Sequence, residues 1–252
     1  MKYKNFPDDI WIKIKKLLNE KKSSQQTCVA AFDADGTLWD TDLGEAFFQW
    51  QIRNCPLVLP TEAQTDPWIY YRKMKSSGDP RPAYLWLAQI NKGHSLSQVR
   101  QWADAFLDEI KPLPIFEAQK QLIQLLIENQ VQVYIITASV KWAVEPGARL
   151  LGLANENVLG VSTAVDNKGL ITDQGIFPIT YKEGKLEALL KHTHGVAPIL
   201  SAGNTTGDLY LLKGSQGLSI AVGATPRDHE LFSTEEQLRQ EALKNNWIIH
   251  HF

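Results

Sequence analysis

The stretch Phe32-Asp33-Ala34-Asp35-Gly36-Thr37-Leu38-Trp39-Asp40 decides how this chain is read. Two carboxylates stand two residues apart directly after a short apolar run, TCVAAF at 27–32, and a glycine follows them. A run of that kind suits a strand buried on both faces of a parallel sheet. Taken alone, Asp33 could cap a helix, or the Asp-Gly pair could form a turn.

Working outward, three more apolar runs end in polar or glycine residues. VQVYII at 131–136 stops at Thr137, APIL at 197–200 leads into Ser201-Ala202-Gly203-Asn204, and LSIAV at 218–222 stops at Gly223. Helical segments at 115–128 and 185–192 separate them. Strands alternating with helices predict an α/β fold built on a doubly wound parallel, Rossmann-like sheet. Ligands of such sheets bind beyond the C-terminal strand ends, where Asp33, Thr137 and Asn204 fall.

Between the first two sheet strands the chain carries an insert, with helices expected at 42–53, 68–75, 83–91 and 97–109. The expected division is an α/β catalytic core of residues 1–40 and 112–252 and a helical cap of 41–111. The cap holds Trp50, Trp68, Tyr70, Tyr71, Trp86 and Trp102. An amphipathic helix is expected at 6–22 and a linker at 23–26. Asp166-Asn167-Lys168-Gly169, between runs 158–165 and 170–173, is a hairpin turn signal.

Composition narrows the function classes. The net charge is −2 over 252 residues, which supplies no basic field for nucleic acid or an anionic membrane. The two cysteines, Cys28 and Cys55, form neither a disulfide framework nor a C-x-x-C pair. No apolar run approaches the roughly 20 residues that span a bilayer. The charged N-terminal segment lacks a signal-peptide core, so a cytoplasmic location is the expectation.

The opening stretch resembles the first motif, Asp-x-Asp-Gly-Thr, of the haloacid dehalogenase superfamily. The family's other motifs are matched in order. Thr137 ends an apolar strand, Lys185 begins a helix within Glu183-Gly184-Lys185-Leu186, and Gly203-Asn204-Thr205-Thr206-Gly207-Asp208 has the spacing of the fourth motif, Gly-Asp-x-x-x-Asp. The resemblance implies a magnesium-dependent phosphatase. Asp33 would be the nucleophile, Asp35 the acid and base, Thr137 a phosphate-binding hydroxyl and Lys185 a charge-neutralising ammonium. It implies metal ligation by the Asp33 side chain, the Asp35 backbone carbonyl and the fourth-motif side chains Asn204 and Asp208, all hard oxygens. Asn204 departs from the pattern, since an amide oxygen can hold magnesium but brings no charge. A metal-free dehalogenase would leave Asp35 without a task. A family member that binds phosphorylated ligands without turnover, and a phosphotransferase, remain the alternatives.

Within the superfamily, the position and helical character of the insert resemble the phosphoserine phosphatase branch. Asp42-Leu43-x-Glu45 is similar to the corresponding stretch of the phosphorylcholine phosphatases. That likeness implies a small phosphomonoester substrate, phosphocholine or phosphoserine, with Asp42 and Glu45 near a cationic head and Thr37 also at the substrate. Asp42 and Glu45 equally fit a helix N-cap with its capping-box partner. Cap aromatics could face a methylated ammonium or form cap core. The oligomeric state is not encoded in any feature of the sequence.

Overall fold

The computed structural model describes residues 4–22 and 27–252, so the linker expected at 23–26 lies outside the described residues. Six parallel strands form the main sheet in the order β3-β2-β1-β6-β7-β8. They are β1 (Val29–Phe32), β2 (Gln132–Val140), β3 (Val158–Val161), β6 (Leu200–Gly203), β7 (Leu218–Gly223) and β8 (Ile248–His251). The order runs outward from β1 in one direction through β2 and β3, and in the other through β6, β7 and β8. The switch point therefore lies between β1 and β6, where ligands of such sheets bind.

Side-chain alternation divides the sheet between two cores. Ala30 and Phe32 of β1 join one apolar cluster with Ile10, Ile14, Leu17 and Leu18 of α1 (Asp8–Lys22). Val29 and Ala31 join the other, with Leu189 of α8 (Glu183–His192), Leu211 of α9 (Leu209–Lys213) and Leu238 of α10 (Phe232–Lys244). All four β1 residues are buried, which is why the run reads as continuously apolar.

Three expectations shift. The strand expected at 197–200 forms three residues later, as Leu200–Gly203. Pro198 has no N–H to give a ladder, and Gly203 leaves room for Asp208, whose Cβ a side chain there would meet. β2 does not stop at Thr137 but runs on to Val140, with a register irregularity between Ile136 and Val140. The run 158–165 divides: β3 joins the main sheet, and β4 (Thr163–Val165) pairs antiparallel with β5 (Ile171–Gly175) around the expected turn.

The insert folds as α2 (Leu43–Asn54), α3 (Pro67–Lys75), α4 (Arg81–Gln89) and α5 (Leu96–Ile110). Asp42, Asp66 and Ser95 cap α2, α3 and α5 by accepting from backbone N–H groups. Phe48 gathers Trp68, Tyr71 and Trp86 in ring contacts with centroids 5.5–6.3 Å apart. The β4–β5 hairpin, counted with the core in the sequence, sits against this insert. Gly93 N donates to Ile171 O at 2.9 Å and Leu96 N to Gly169 O at 3.0 Å. Helix α7 (Lys141–Leu150), α9, α10 and β8 were not anticipated. Among the described residues no helix is long and apolar enough to cross a membrane.

Candidate active site

A cavity of about 580 Å³ opens over the switch point, walled by the strand ends below and by α2, α3 and α4 above. At its floor, Asp33 N donates to Ala202 O at 2.9 Å, which ties the end of β1 to β6. Gly36 then turns the chain at φ +73°, a left-handed conformation that favours glycine. The turn brings Thr37 back beneath Asp33. Thr37 Oγ1 lies 3.1 Å from Asp33 Oδ2 and 3.3 Å from Asn204 Oδ1.

The structure brings Asp33, Thr137, Lys185, Asn204 and Asp208 into one buried cluster. Lys185 Nζ donates to Asp33 Oδ1 at 2.6 Å and to Asp208 Oδ1 at 2.5 Å. Burial works against this ammonium, but Asp208 and Asp33 outweigh it and hold the pKa above the ordinary lysine range. Asp33 feels the reverse balance. Burial, then the Asp208 charge, push its pKa up to about 7 despite the pull of Lys185. Lys182, three residues before Lys185, is exposed, with its Nζ 5.4 Å from the Tyr181 ring centroid.

Asp208 serves the cluster in two ways. Oδ1 receives Lys185, while Oδ2 accepts from Asn204 N at 3.1 Å and Thr205 N at 3.0 Å. The second set fixes the turn that follows β6.

Asp35 is held by donors of its own. Its Oδ2 accepts from Ser139 Oγ at 2.6 Å, and its Oδ1 from Trp39 Nε1 at 2.8 Å and Leu43 N at 2.9 Å. Burial raises its pKa, against the pull of these donors. Thr137 is 1% exposed, and its Oγ1 accepts from Ser139 N at 3.0 Å, so the hydroxyl proton remains for another acceptor. Ser139 was not among the expected site residues. Thr137 and Ser139 are two apart on one strand, so both fall on the same face; that spacing was the available signal.

On the cap side, Asp42 Oδ1 accepts from Glu45 N at 2.7 Å, the capping half of the two expectations. Burial, then Asp35 and Glu45, raise the Asp42 pKa well above the usual carboxylate range. Glu45 does not return a capping-box bond. Its Oε1 accepts from Tyr71 OH at 3.0 Å and Lys75 Nζ at 2.5 Å, both from α3. Lys75 and Tyr71 carried no prediction as site residues. The aromatics at the cavity wall are Tyr71, Tyr84 and Tyr181. The tryptophans Trp50 and Trp86 are buried in cap packing instead.

Asp33 and the oxygen end of Asn204, linked through Thr37, offer hard oxygen donors to a small divalent cation. Among the described residues no three His, Cys, Asp or Glu side chains form an all-protein cage.

Residues 30–213 match the family of haloacid dehalogenase-like hydrolases, and the chain belongs to that family. It is similar to the phosphorylcholine phosphatase of Pseudomonas aeruginosa, with 25% identity over 73% of this chain and 70% of that protein. In fold it resembles a conserved protein of unknown function from Anaerococcus prevotii, with TM-score 0.72, 18% identity and coverage of 99% of this chain and 94% of that one. It also resembles a substrate-bound phosphoserine phosphatase, with TM-score 0.51, 18% identity and coverage of 88% and 99%.

Proposed function

We propose that the protein is a magnesium-dependent phosphatase that hydrolyses a small phosphomonoester through an aspartyl-phosphate on Asp33, with phosphocholine as the first candidate. That it is a phosphoric monoester hydrolase follows from its family and its phosphatase relative. The observation that carries the mechanism is the bridge of Lys185 Nζ between Asp33 Oδ1 and Asp208 Oδ1. It places a fixed positive charge against a buried carboxylate at the switch point of the sheet.

Asp33, the Asp35 backbone carbonyl and Asn204 would hold the cation, with Asp208 supporting the turn and Lys185 from beside it. Bound there, magnesium would screen the repulsion between a phosphate ester and the Asp33 carboxylate and align the two. Asp33 attacks phosphorus, and the P–O bond to the alcohol breaks. Asp35, its pKa raised by burial, gives its proton to the departing oxygen. Asp35 then takes a proton from water, which attacks the phosphorus of the aspartyl-phosphate. Phosphate leaves and the Asp33 carboxylate is restored. Thr137 Oγ1 and Lys185 Nζ hold phosphoryl oxygens while charge builds on them.

Glu45, Asp42 and the tyrosines of the cavity wall support an alcohol that carries an ammonium, as does the phosphorylcholine phosphatase relative. A second reading, phosphoserine, is favoured by the Lys75–Glu45 pair. Two opposite charges 2.5 Å apart suit a head group carrying both a carboxylate and an ammonium.

The test is a phosphate-release screen over phosphocholine, phosphoserine, sugar phosphates and simple alkyl phosphates, with magnesium and then with chelator. Release that requires magnesium and favours the ammonium-bearing esters is expected. Phosphate binding without release would point to a non-catalytic family member, and phosphate transfer to an added alcohol to a phosphotransferase. Preference for sugar phosphates would refute the cationic head group.

A further inference from the structure

Glu235, on α10, lies beyond the stretch that matches the family and carried no prediction from the sequence. It is 7% exposed. Its Oε2 accepts from Thr225 Oγ1 at 2.6 Å and Thr225 N at 3.3 Å, and its Oε1 accepts from Asn204 Nδ2 at 3.4 Å. Among the described residues no lysine or arginine pairs with it. A buried carboxylate without a cationic partner is costly, so its retention asks for a positive charge nearby.

The contact also settles how the Asn204 amide lies. A carboxylate only accepts hydrogen bonds, so the amide turns its NH₂ end to Glu235. The oxygen end is left facing Thr37 Oγ1 at 3.3 Å, on the Asp33 side. Gly36 closes the remaining space: a Cβ there would collide with Asn204 Nδ2 and lie 3.1 Å from Asn204 Cγ.

Building on the magnesium-phosphatase reading, we infer that Glu235 is a positioning residue for the cation, aiming the Asn204 amide oxygen and supplying from behind it the negative charge that an aspartate at position 204 would carry. A charged acceptor on the NH₂ end polarises the amide and makes its oxygen a stronger ligand. The same geometry makes a simple return to the family's fourth motif unfavourable. Asn204→Asp would set a second carboxylate against Glu235 in a buried site, with no donor between them.

The test uses magnesium alone, titrated calorimetrically into chelator-stripped protein, together with melting temperatures in chelator. Glu235→Gln keeps an acceptor for Asn204 but removes the charge, and is expected to weaken magnesium binding by roughly tenfold to a hundredfold. Asn204→Asp alone is expected to bind magnesium no more tightly than wild type and to melt lower in chelator. The combined Asn204→Asp/Glu235→Gln variant moves the charge forward and gives the new carboxylate an amide donor. It is expected to recover both the affinity and the melting temperature.

Wild-type affinity in Glu235→Gln, or tighter binding in Asn204→Asp alone, would overturn the inference. If Glu235→Gln folds poorly, the combined variant decides, since it stays impaired if Glu235 only anchors Thr225. A wild-type protein that takes up no magnesium, and releases phosphate equally in chelator, would overturn the metal reading itself. Binding by wild type with no change in Glu235→Gln overturns the positioning role alone.

Discussion

Ser139 Oγ donates a 2.6 Å hydrogen bond to Asp35 Oδ2 and, with Trp39 Nε1 and Leu43 N on Oδ1, fixes the orientation of that carboxylate. Burial raises the Asp35 pKa, and the Ser139 bond is the leading influence that lowers it again. Ser139→Ala removes that stabilisation of the ionised form, so the pKa of Asp35 rises further. We expect the alkaline limb of the kcat profile, where the acid loses its proton, to move to higher pH. We expect kcat to fall by about tenfold, the scale of a charge-assisted hydrogen bond of roughly 1.5 kcal/mol. Steady-state rates across pH check this, and an unshifted profile would assign Ser139 to packing alone.

Asp33→Asn should abolish phosphate release, because an amide cannot form the aspartyl-phosphate. It should not unfold the protein. Lys185 keeps Asp208 as a partner, and the substitution removes a buried charge that burial and Asp208 disfavour. The variant is therefore expected to melt no lower than wild type in chelator. Near-wild-type turnover, with deamidation excluded by mass, would remove Asp33 from the mechanism.

The raised carboxyl pKa values fix the sign of a pH effect on stability. Asp33 is pushed up to about 7 by burial and Asp208, and Asp35 and Asp42 are raised by burial as well. In the folded protein these acids keep protons that the unfolded chain has lost. Stability in chelator should therefore fall as pH climbs from about 4 toward about 7. Magnesium favours the ionised form of its ligands and should flatten that slope. Thermal melts with and without the metal measure both curves; a melting temperature that rises across this window in chelator would contradict the raised Asp33 pKa.

The Glu45–Lys75 pair separates the two candidate substrates. Glu45→Gln should raise KM for phosphocholine and for phosphoserine, while sparing a neutral alkyl phosphate. Lys75→Met should raise KM for phosphoserine, whose carboxylate loses its counter-charge, but should leave phosphocholine unchanged or better bound. Each effect is expected at about threefold to fivefold, for a partly exposed charge pair worth roughly 0.6–1 kcal/mol. If Glu45→Gln changes all three substrates equally, Glu45 serves only to hold α3 through Tyr71 and Lys75.

Much of this protein is local and therefore visible in the chain. The apolar run before Asp33 is buried on both faces, so its strand shows as an unbroken apolar stretch. Asp33, Thr137 and Asn204 were expected at strand ends, which a doubly wound sheet gathers on one edge, whereas Lys185 and Asp208 came only with the resemblance to the haloacid dehalogenase superfamily. The helix start at Asp42 could be read from short-range capping chemistry, whereas the helix expected from 97 begins at Leu96 behind its cap Ser95.

Contacts between segments remote in sequence were decided only by tertiary structure. Pairing of β6 with both β1 and β7 set that strand at Leu200–Gly203, three residues later than the apolar run suggested, because its extent follows the ladder partners rather than its own apolar side chains. Glu45 appeared as a possible capping partner until α3 brought Tyr71 and Lys75 to it from 26 and 30 residues away. The aromatic wall came from Tyr71, Tyr84 and Tyr181, since the larger tryptophans were needed to fill the interior of the cap. Glu235 reached Asn204 across 31 residues, where no motif spacing pointed to it. Residue type and short-range order determined which chemistry this chain carries, whereas the orientation and charge balance of those groups depend on partners that only folding brings within hydrogen-bond distance.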